Sequence, residues 1–300
     1  MIREHQAAPQ ETPKANPSEP ISLARIMVAT DFSPTSDRAL EYALSLARRH
    51  GSRVYLAHVI TVDPMTAPEL MDSSEEKQRL RAKTAFEDIA ASGRVLGVPV
   101  EVLTENGSIW PTLEALVEKY EIELLIVGTH GVGAVQKVLI GSTAEQIFRK
   151  ARVPVLTVGP RADEEPFYEM ELKSILFATD FGPGVDREAA YAFFLAQEHR
   201  SRLTLLHVTH GRNPVGEREM EAIKEEMQEL IPAGDLHCLP TFRVANGHPV
   251  EEILKASQEV RANLVIIGAK QRKGLAGHVP ASTAYKIVCG ARCPVLTIRS

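Results

Sequence analysis

The residues best suited to chemistry lie near the middle of the chain: Gly128-Thr129-His130-Gly131, nine residues, then Gly141-Ser142-Thr143. Glycine has no Cβ, so at Gly128 and Gly131 backbone N–H groups can approach a polyphosphate unobstructed. An apolar run, Leu124 to Val127, leads into this loop, and a helical pattern leaves it. Gly141, Ser142 and Thr143 therefore bring hydroxyls and free helix N-terminal amides, where the helix dipole favours an anion by on the order of 0.3–1 kcal/mol. Together the two halves of the loop would hold a phosphate chain from both sides. Ser142-Thr143-Ala144-Glu145 is also a capping box, which a helix uses with no ligand present. A cap, however, has no need of two glycines ahead of a long spacer.

Other candidates sit at strand ends. Asp31 follows Ala29-Thr30 at the end of the first apolar run, where a carboxylate can accept from ribose hydroxyls or help hold a divalent ion on phosphates. It can equally be a turn residue ahead of Ser33-Pro34. His58 and His207 close the second run of each half and read first as strand-end packing; Val59, next to His58, offers its backbone and an apolar side chain to a base. His130, inside the loop, can touch phosphate or stand in solvent. Asp31 and His130 are the only candidate general bases, and neither has a second residue in sequence to orient it, so no catalytic set is assigned.

These residues need strands and helices to position them, and the chain supplies the same set twice. Ile26-Met27-Val28-Ala29-Thr30-Asp31-Phe32 returns as Ile175-Leu176-Phe177-Ala178-Thr179-Asp180-Phe181, an offset of 180 − 31 = 149. Further on the offset is 140: Arg152-Val153-Pro154-Val155-Leu156-Thr157-Val158 returns as Arg292-Cys293-Pro294-Val295-Leu296-Thr297-Ile298. The reading is an N-terminal disordered tail over 1–20, one unit over 21–160, a Pro- and acid-rich linker over 161–171 and a second unit over 172–300. In each unit short apolar runs alternate with helical periodicity, the βαβ rhythm of a parallel sheet covered on both faces. Ile26 to Ala29, Val54 to His58, Val100 to Thr104, Leu124 to Val127 and Val155 to Val158 give five strands. A helix follows the first of them, with Ser33 as N-cap, Pro34 at its first position and Gly51 past its end. Its buried stripe, Leu40, Ala43, Leu44 and Ala47, recurs as Ala189, Ala192, Phe193 and Ala196.

Three hundred residues at 44% apolar content suffice for two cores, and 34 basic against 39 acidic residues give a net charge of −5. That balance lacks the basic footprint of a nucleic-acid binder, so no nucleic acid is expected as partner. No apolar run is long enough to span a bilayer and no signal peptide is evident, so no membrane is expected and the cytoplasm is the predicted location. Three cysteines, Cys238, Cys289 and Cys293, suit a reducing compartment; Cys289 and Cys293 form a C-x3-C with no second pair and read as incidental thiols.

With these residues in place, the chain resembles the universal stress protein family, and among it the tandem two-domain members. The resemblance covers nearly everything after the tail. It rests on G-2x-G-9x-G-(S/T), the family's ATP-binding signature, matched by Gly128, Gly131, Gly141 and Ser142. The Ala29 to Ser33 opening, Leu56 to Val59 and the terminal Pro-Val-Leu-Thr segments also match. It implies two open five-stranded parallel sheets of the adenine nucleotide alpha hydrolase-like, Rossmann-like α/β type. It implies an ATP site, with Mg or Mn as candidate ion, lined by Ala29, Thr30, Asp31, Val59, Gly128, His130, Gly131, Gly141, Ser142 and Thr143. It also implies an intramolecular pseudo-dimer zipped through Val155 to Val158 and Val295 to Ile298, open to further homo-oligomerisation.

The second unit departs from this pattern. Gly268 stands opposite Gly128, but Gln271 replaces Gly131 and Ala281 replaces Gly141, so one nucleotide site per chain is expected, in the first unit. Lys270, Arg272 and Lys273 read as a solvated basic loop. The functional expectation is an ATP-binding protein of stress response or signalling with at most slow hydrolysis. The alternatives are an ATP-consuming enzyme of related fold and a partner-binding stress protein without nucleotide. Thr30-Asp31-Phe32-Ser33-Pro34 stands where an adenylating enzyme has a Ser-Gly-Gly loop, and no G-x-x-x-x-G-K-(S/T) loop occurs. A receiver domain would need an aspartate ending the third strand, where Leu103-Thr104-Glu105-Asn106 occurs.

Overall fold

The computed structural model describes residues 21–61, 68–129, 142–159, 162, 171–210, 216–234, 236–237, 239–269 and 283–299, with 68–74, 142 and 143 described by their backbone. The expected tail, most of the 161–171 linker, Cys238, and His130, Gly131 and Gly141 of the glycine loop lie outside the described residues, as do Lys270, Gln271, Arg272, Lys273 and Ala281.

The first unit runs β1 (Arg25–Ala29), α1 (Pro34–His50), β2 (Arg53–Ile60), α2 (Pro68–Ala91), β3 (Val100–Asn106), α3 (Ile109–Lys119), β4 (Leu124–Gly128), α4 (Ser142–Lys150) and β5 (Val155–Val158). The second repeats it as β6 (Ser174–Thr179), α5 (Val185–His199), β7 (Arg202–Thr209), α6 (Glu217–Glu229), β8 (Thr241–Asn246), α7 (Pro249–Glu259), β9 (Leu264–Ala269), α8 (Thr283–Gly290) and β10 (Val295–Arg299). Local chemistry explains the limits of α1. Ser33 Oγ accepts the Ser36 N–H at 3.3 Å, Pro34 supplies a preset φ, and Gly51 ends the helix at φ 67° with its N–H on the Ala47 carbonyl. Copy two keeps the helix with poorer ends: Gly184 caps α5 without a side chain, and Arg200 takes the left-handed conformation, φ 51°, where Gly51 stood. A non-glycine residue there costs about 1–2 kcal/mol.

All ten strands join one sheet in the order β3-β2-β1-β4-β5-β10-β9-β6-β7-β8. Within each unit the pairing is parallel; the units meet where β5 and β10 run antiparallel, Thr157 opposite Val295 and Val155 opposite Thr297. That pairing closes the edge each five-stranded sheet would otherwise expose and leaves β3 and β8 outermost. The junction carries further bonds: Thr297 Oγ1 donates to the Val155 carbonyl at 3.2 Å, and Arg299 of β10 donates to the Phe148 carbonyl near the end of α4 at 2.6 Å.

Covered on both faces, the central strands are apolar without alternation; Ile26, Met27 and Val28 are all fully buried. One apolar layer lies under α1, α2, α5 and α6, the other under α3, α4, α7 and α8, and each continues across both units. The expected stripes of α1 and α5 lie in the first layer. Because β1 is followed outward by β2 and β3 but flanked inward by β4, the connections leave opposite ways from β1 and β4. A crevice therefore opens between their carboxyl ends, and the same reversal recurs between β6 and β9.

Candidate functional site

The β1–α1 turn is built by its own side chains. Thr30 continues the ladder, its N–H on the Ala57 carbonyl at 2.9 Å. Asp31 is exposed, and its Oδ1 accepts the Ser33 N–H at 3.1 Å, an Asx turn. Between them Phe32 is held at φ 61°, a left-handed conformation that a bulky residue rarely adopts. Its N–H donates to Thr30 Oγ1 at 3.0 Å, and its ring lies 4.6 Å from that of His58 and 5.1 Å from that of Phe86. Ser36 Oγ lies 3.1 Å from Thr30 Oγ1 and donates to the Ser33 carbonyl at 2.9 Å, so hydroxyls gather at the head of α1.

His58 has a defined role in this arrangement. Its Nδ1 lies 2.8 Å from the Thr30 carbonyl oxygen, which can only accept, so Nδ1 carries the proton and the ring clamps the end of β1. His207 repeats the contact with Thr179 at 3.0 Å, with Phe181 at φ 52° stacked on it. The histidines thus hold the turn in both units, as strand-end packing implies.

Across the crevice, Ala29 pairs in register with Val127, so Thr30 and Gly128 stand at the next step on opposite lips. Gly128 has a packing reason that sequence reading missed. A Cβ there would come within 2.7 Å of the Thr35 carbonyl carbon and 2.8 Å of the Ser36 nitrogen, so only glycine lets the head of α1 seat on β4. Thr129 follows, 1% exposed, its N–H on the Val158 carbonyl at 3.0 Å. Ala29 and Val59 are half-buried and pack on the α3–α4 layer. On the other face, a groove of about 400 Å³ opens between the turn residues Thr30, Phe32 and Ser33 and Asp88 and Ile89 of α2. Helix α4 begins at Ser142, which puts Ser142 and Thr143 in its first turn; Glu145 pairs with Arg149 at 3.1 Å.

The crevice therefore unites Ala29, Thr30 and Asp31 at the end of β1 with Gly128 at the end of β4, and Val59 lies on the neighbouring strand β2, beyond β1. His130, Gly131 and Gly141 fall between β4 and α4 in the chain and lie outside the described residues. Among the described residues no group of three or more His, Cys, Asp or Glu side chains is placed to hold a metal. No helix there is long and apolar enough to cross a membrane.

In the second unit the corresponding place is altered. Gly182 and Val185 stand at the positions of Ser33 and Ser36, so the hydroxyl cluster is gone, although Asp180 still accepts the Gly182 N–H at 3.0 Å. The Glu188 side chain, 6% exposed, lies where a Cβ on Gly268 would stand. Gly268 thus leaves the space that this carboxylate occupies, which the loop comparison did not reveal. The signal was present: Glu188 occupies the place of Ala39, beside the buried stripe.

Comparison with known proteins fits this architecture. The model of the Universal stress protein family matches residues 23–159 and again 171–299. A universal stress protein of Mycolicibacterium smegmatis is 26% identical over 294 residues, covering 91% of this chain and 96% of its own. One from Mycobacterium tuberculosis is 24% identical over 301 residues, covering 94% and 99%. The crystal structure of a universal stress protein from Archaeoglobus fulgidus superposes with a TM-score of 0.73 at 20% identity, covering 92% of this chain and 98% of that one, a likeness of fold.

Proposed function

Because the chain belongs to the universal stress protein family as a tandem of two units, we propose that its first unit binds ATP in the β1–β4 crevice and that the protein acts in stress response or signalling through that nucleotide. The observation that carries this reading is the reversal of strand order between β1 and β4, with Thr30-Asp31 and Gly128 on its two lips. Open parallel sheets bind ligands at that point.

In this reading Ala29, Thr30 and Val59 meet the nucleoside, and Asp31, exposed at the end of β1, accepts from it through its carboxylate. Gly128, His130 and Gly131 line the phosphate path, which ends on Gly141 and the first turn of α4 at Ser142 and Thr143. A Mg or Mn ion would be held chiefly by phosphate oxygens, with Asp31 as the candidate protein carboxylate. Binding, with at most slow hydrolysis, is the activity proposed. The units are the residues 21–160 and 172–300, acting as an intramolecular pair, and the cysteine usage favours the cytoplasm. The second unit, with Glu188 against Gly268 and side chains at Gln271 and Ala281, takes no nucleotide.

Two measurements test this. Mass spectrometry of nucleotide released from freshly purified protein should find ATP, and calorimetry should find one equivalent per chain. Gly131→Gln, which copies the second unit, should abolish binding and leave the circular dichroism spectrum unchanged; unchanged affinity would refute the assignment of the phosphate loop.

A further inference from the structure

Away from the crevice, the units touch along a second line. Tyr42 and Leu46 of α1 and Tyr191 and Leu195 of α5 line one narrow apolar cavity, and one turn further on each helix stands a histidine, His50 and His199. The two histidines occupy equivalent places, 199 − 50 = 149, and their Nε2 atoms lie 3.3 Å apart. Both rings are half-buried, and Phe194 stacks on His50 with centroids 5.6 Å apart. From this geometry we infer that the His50–His199 contact is an acid-sensitive latch on the seam between the units, closed while the rings are neutral and opened when they take up protons.

The chemistry is symmetric in place but not in protonation. A contact between two Nε2 atoms is a hydrogen bond only if one ring presents Nε2–H and the other a bare lone pair. One added proton can settle on the donor ring's Nδ1 and leave the bond in place; once both rings are protonated, N–H groups face each other on both Nε2 atoms and the bond becomes a contact between two like charges. The neighbouring charges are Arg49 on α1 and Glu198 on α5, and Arg49 also donates to the Glu198 carbonyl. Burial holds both histidines below their ordinary value, His199 down to about 4, where the charges of His50 and Arg49 add to the effect; Glu198 opposes it at His50 without reversing it. The sign follows. Above the ordinary value near 6.5 folded and unfolded chains carry the same neutral rings, and as pH falls below it the unfolded or opened form takes up protons that the closed pair refuses. The seam therefore weakens with acid down to about pH 4. The upper part of that window, from 6.5 to about 5, overlaps the range in which histidine switches act.

The test uses the full chain without nucleotide and so does not depend on the ATP reading. Amide exchange in the last two turns of α1 and α5 is followed at about pH 7.5 and about pH 5, corrected for intrinsic rates, in the native protein and in His50→Gln/His199→Gln. Glutamine keeps a hydrogen-bonding nitrogen and does not titrate. Protection should fall at least about tenfold in the native protein and hold in the double variant. Equal losses in both, or no loss in the native chain, overturn the latch. Should the double variant not fold, NMR titration of the native histidines decides: either ring titrating near or above 6.5 overturns it, and both titrating clearly below supports it.

Discussion

Gly128→Ala separates a glycine kept for packing from one kept only for phosphate. The added Cβ would stand 2.7 Å from the Thr35 carbonyl carbon, 2.8 Å from the Ser36 nitrogen and 2.9 Å from the Thr35 oxygen. Ordinary contact begins at 3.4 Å, so the head of α1 must retreat by about 3.4 − 2.7 = 0.7 Å. All three obstacles are backbone, and the helix behind them is anchored by Ala39 and Leu40, both essentially fully buried. Overpacking of this kind costs about 1–3 kcal/mol. Lost unfolded-state freedom returns about 0.4–1 kcal/mol, since Gly128 does not need a left-handed φ. At mid-range values, about 2 against about 0.7, the net destabilisation is about 1.3 kcal/mol. Thermal unfolding without nucleotide should show a Tm lower by roughly 2–8 °C, the low end applying if both units melt together. ATP affinity should fall as well, because Thr30 and Ser36 share the displaced turn. Nucleotide-free stability equal to that of the native protein would refute the packing argument and return Gly128 to a purely ligand-facing role.

The second unit offers a cycle on the same theme. Gly268→Ala meets the buried Glu188 side chain, so it should destabilise the chain, and Glu188→Ala should relieve that loss; a coupling of at least about 1 kcal/mol in urea unfolding is expected, and additive effects would show that the two do not touch. At the β5–β10 junction Thr157 Oγ1 is buried with no hydrogen-bond partner among the described residues, whereas Thr297 Oγ1 donates to the Val155 carbonyl. Thr157→Val should be neutral or stabilising by up to about 1 kcal/mol and Thr297→Val should cost about 0.5–1.5 kcal/mol; the reverse order in thermal melts would contradict this. Asp31→Ala removes the bond to the Ser33 N–H and should cost about 1 kcal/mol of stability while weakening ATP at least about tenfold by calorimetry, against a small change in binding if Asp31 only shapes the turn.

Much of this protein is readable along the chain because the forces involved are local or periodic. The limits of α1 follow from Ser33, Pro34 and Gly51, groups within a few residues of the atoms they satisfy. The strand runs are visible because both sheet faces are covered, and the repeat doubles every such signal. The gathering of Ala29, Thr30, Asp31 and Gly128 was also foreseeable, since strand ends of a βαβ fold share one side of the sheet.

What the chain order hides is which backbone lies against which. The need for glycine at Gly128 comes from Thr35 and Ser36, which are distant in sequence and reach it only because β1 pairs with β4. Gly268 stands opposite Gly128 along the chain, and only the fold places the Glu188 side chain on its vacant side. His50 and His199 carried no motif at all; the antiparallel join of β5 to β10 sets α1 beside α5 and brings two nitrogens to 3.3 Å. The amino-acid sequence by itself determined the repeated unit, its helices and strands and the candidate phosphate loop, because propensity, capping and periodicity act over a few residues. Tertiary structure alone decided the close contacts between distant segments, because sheet order and packing at van der Waals distance are properties of the assembled fold.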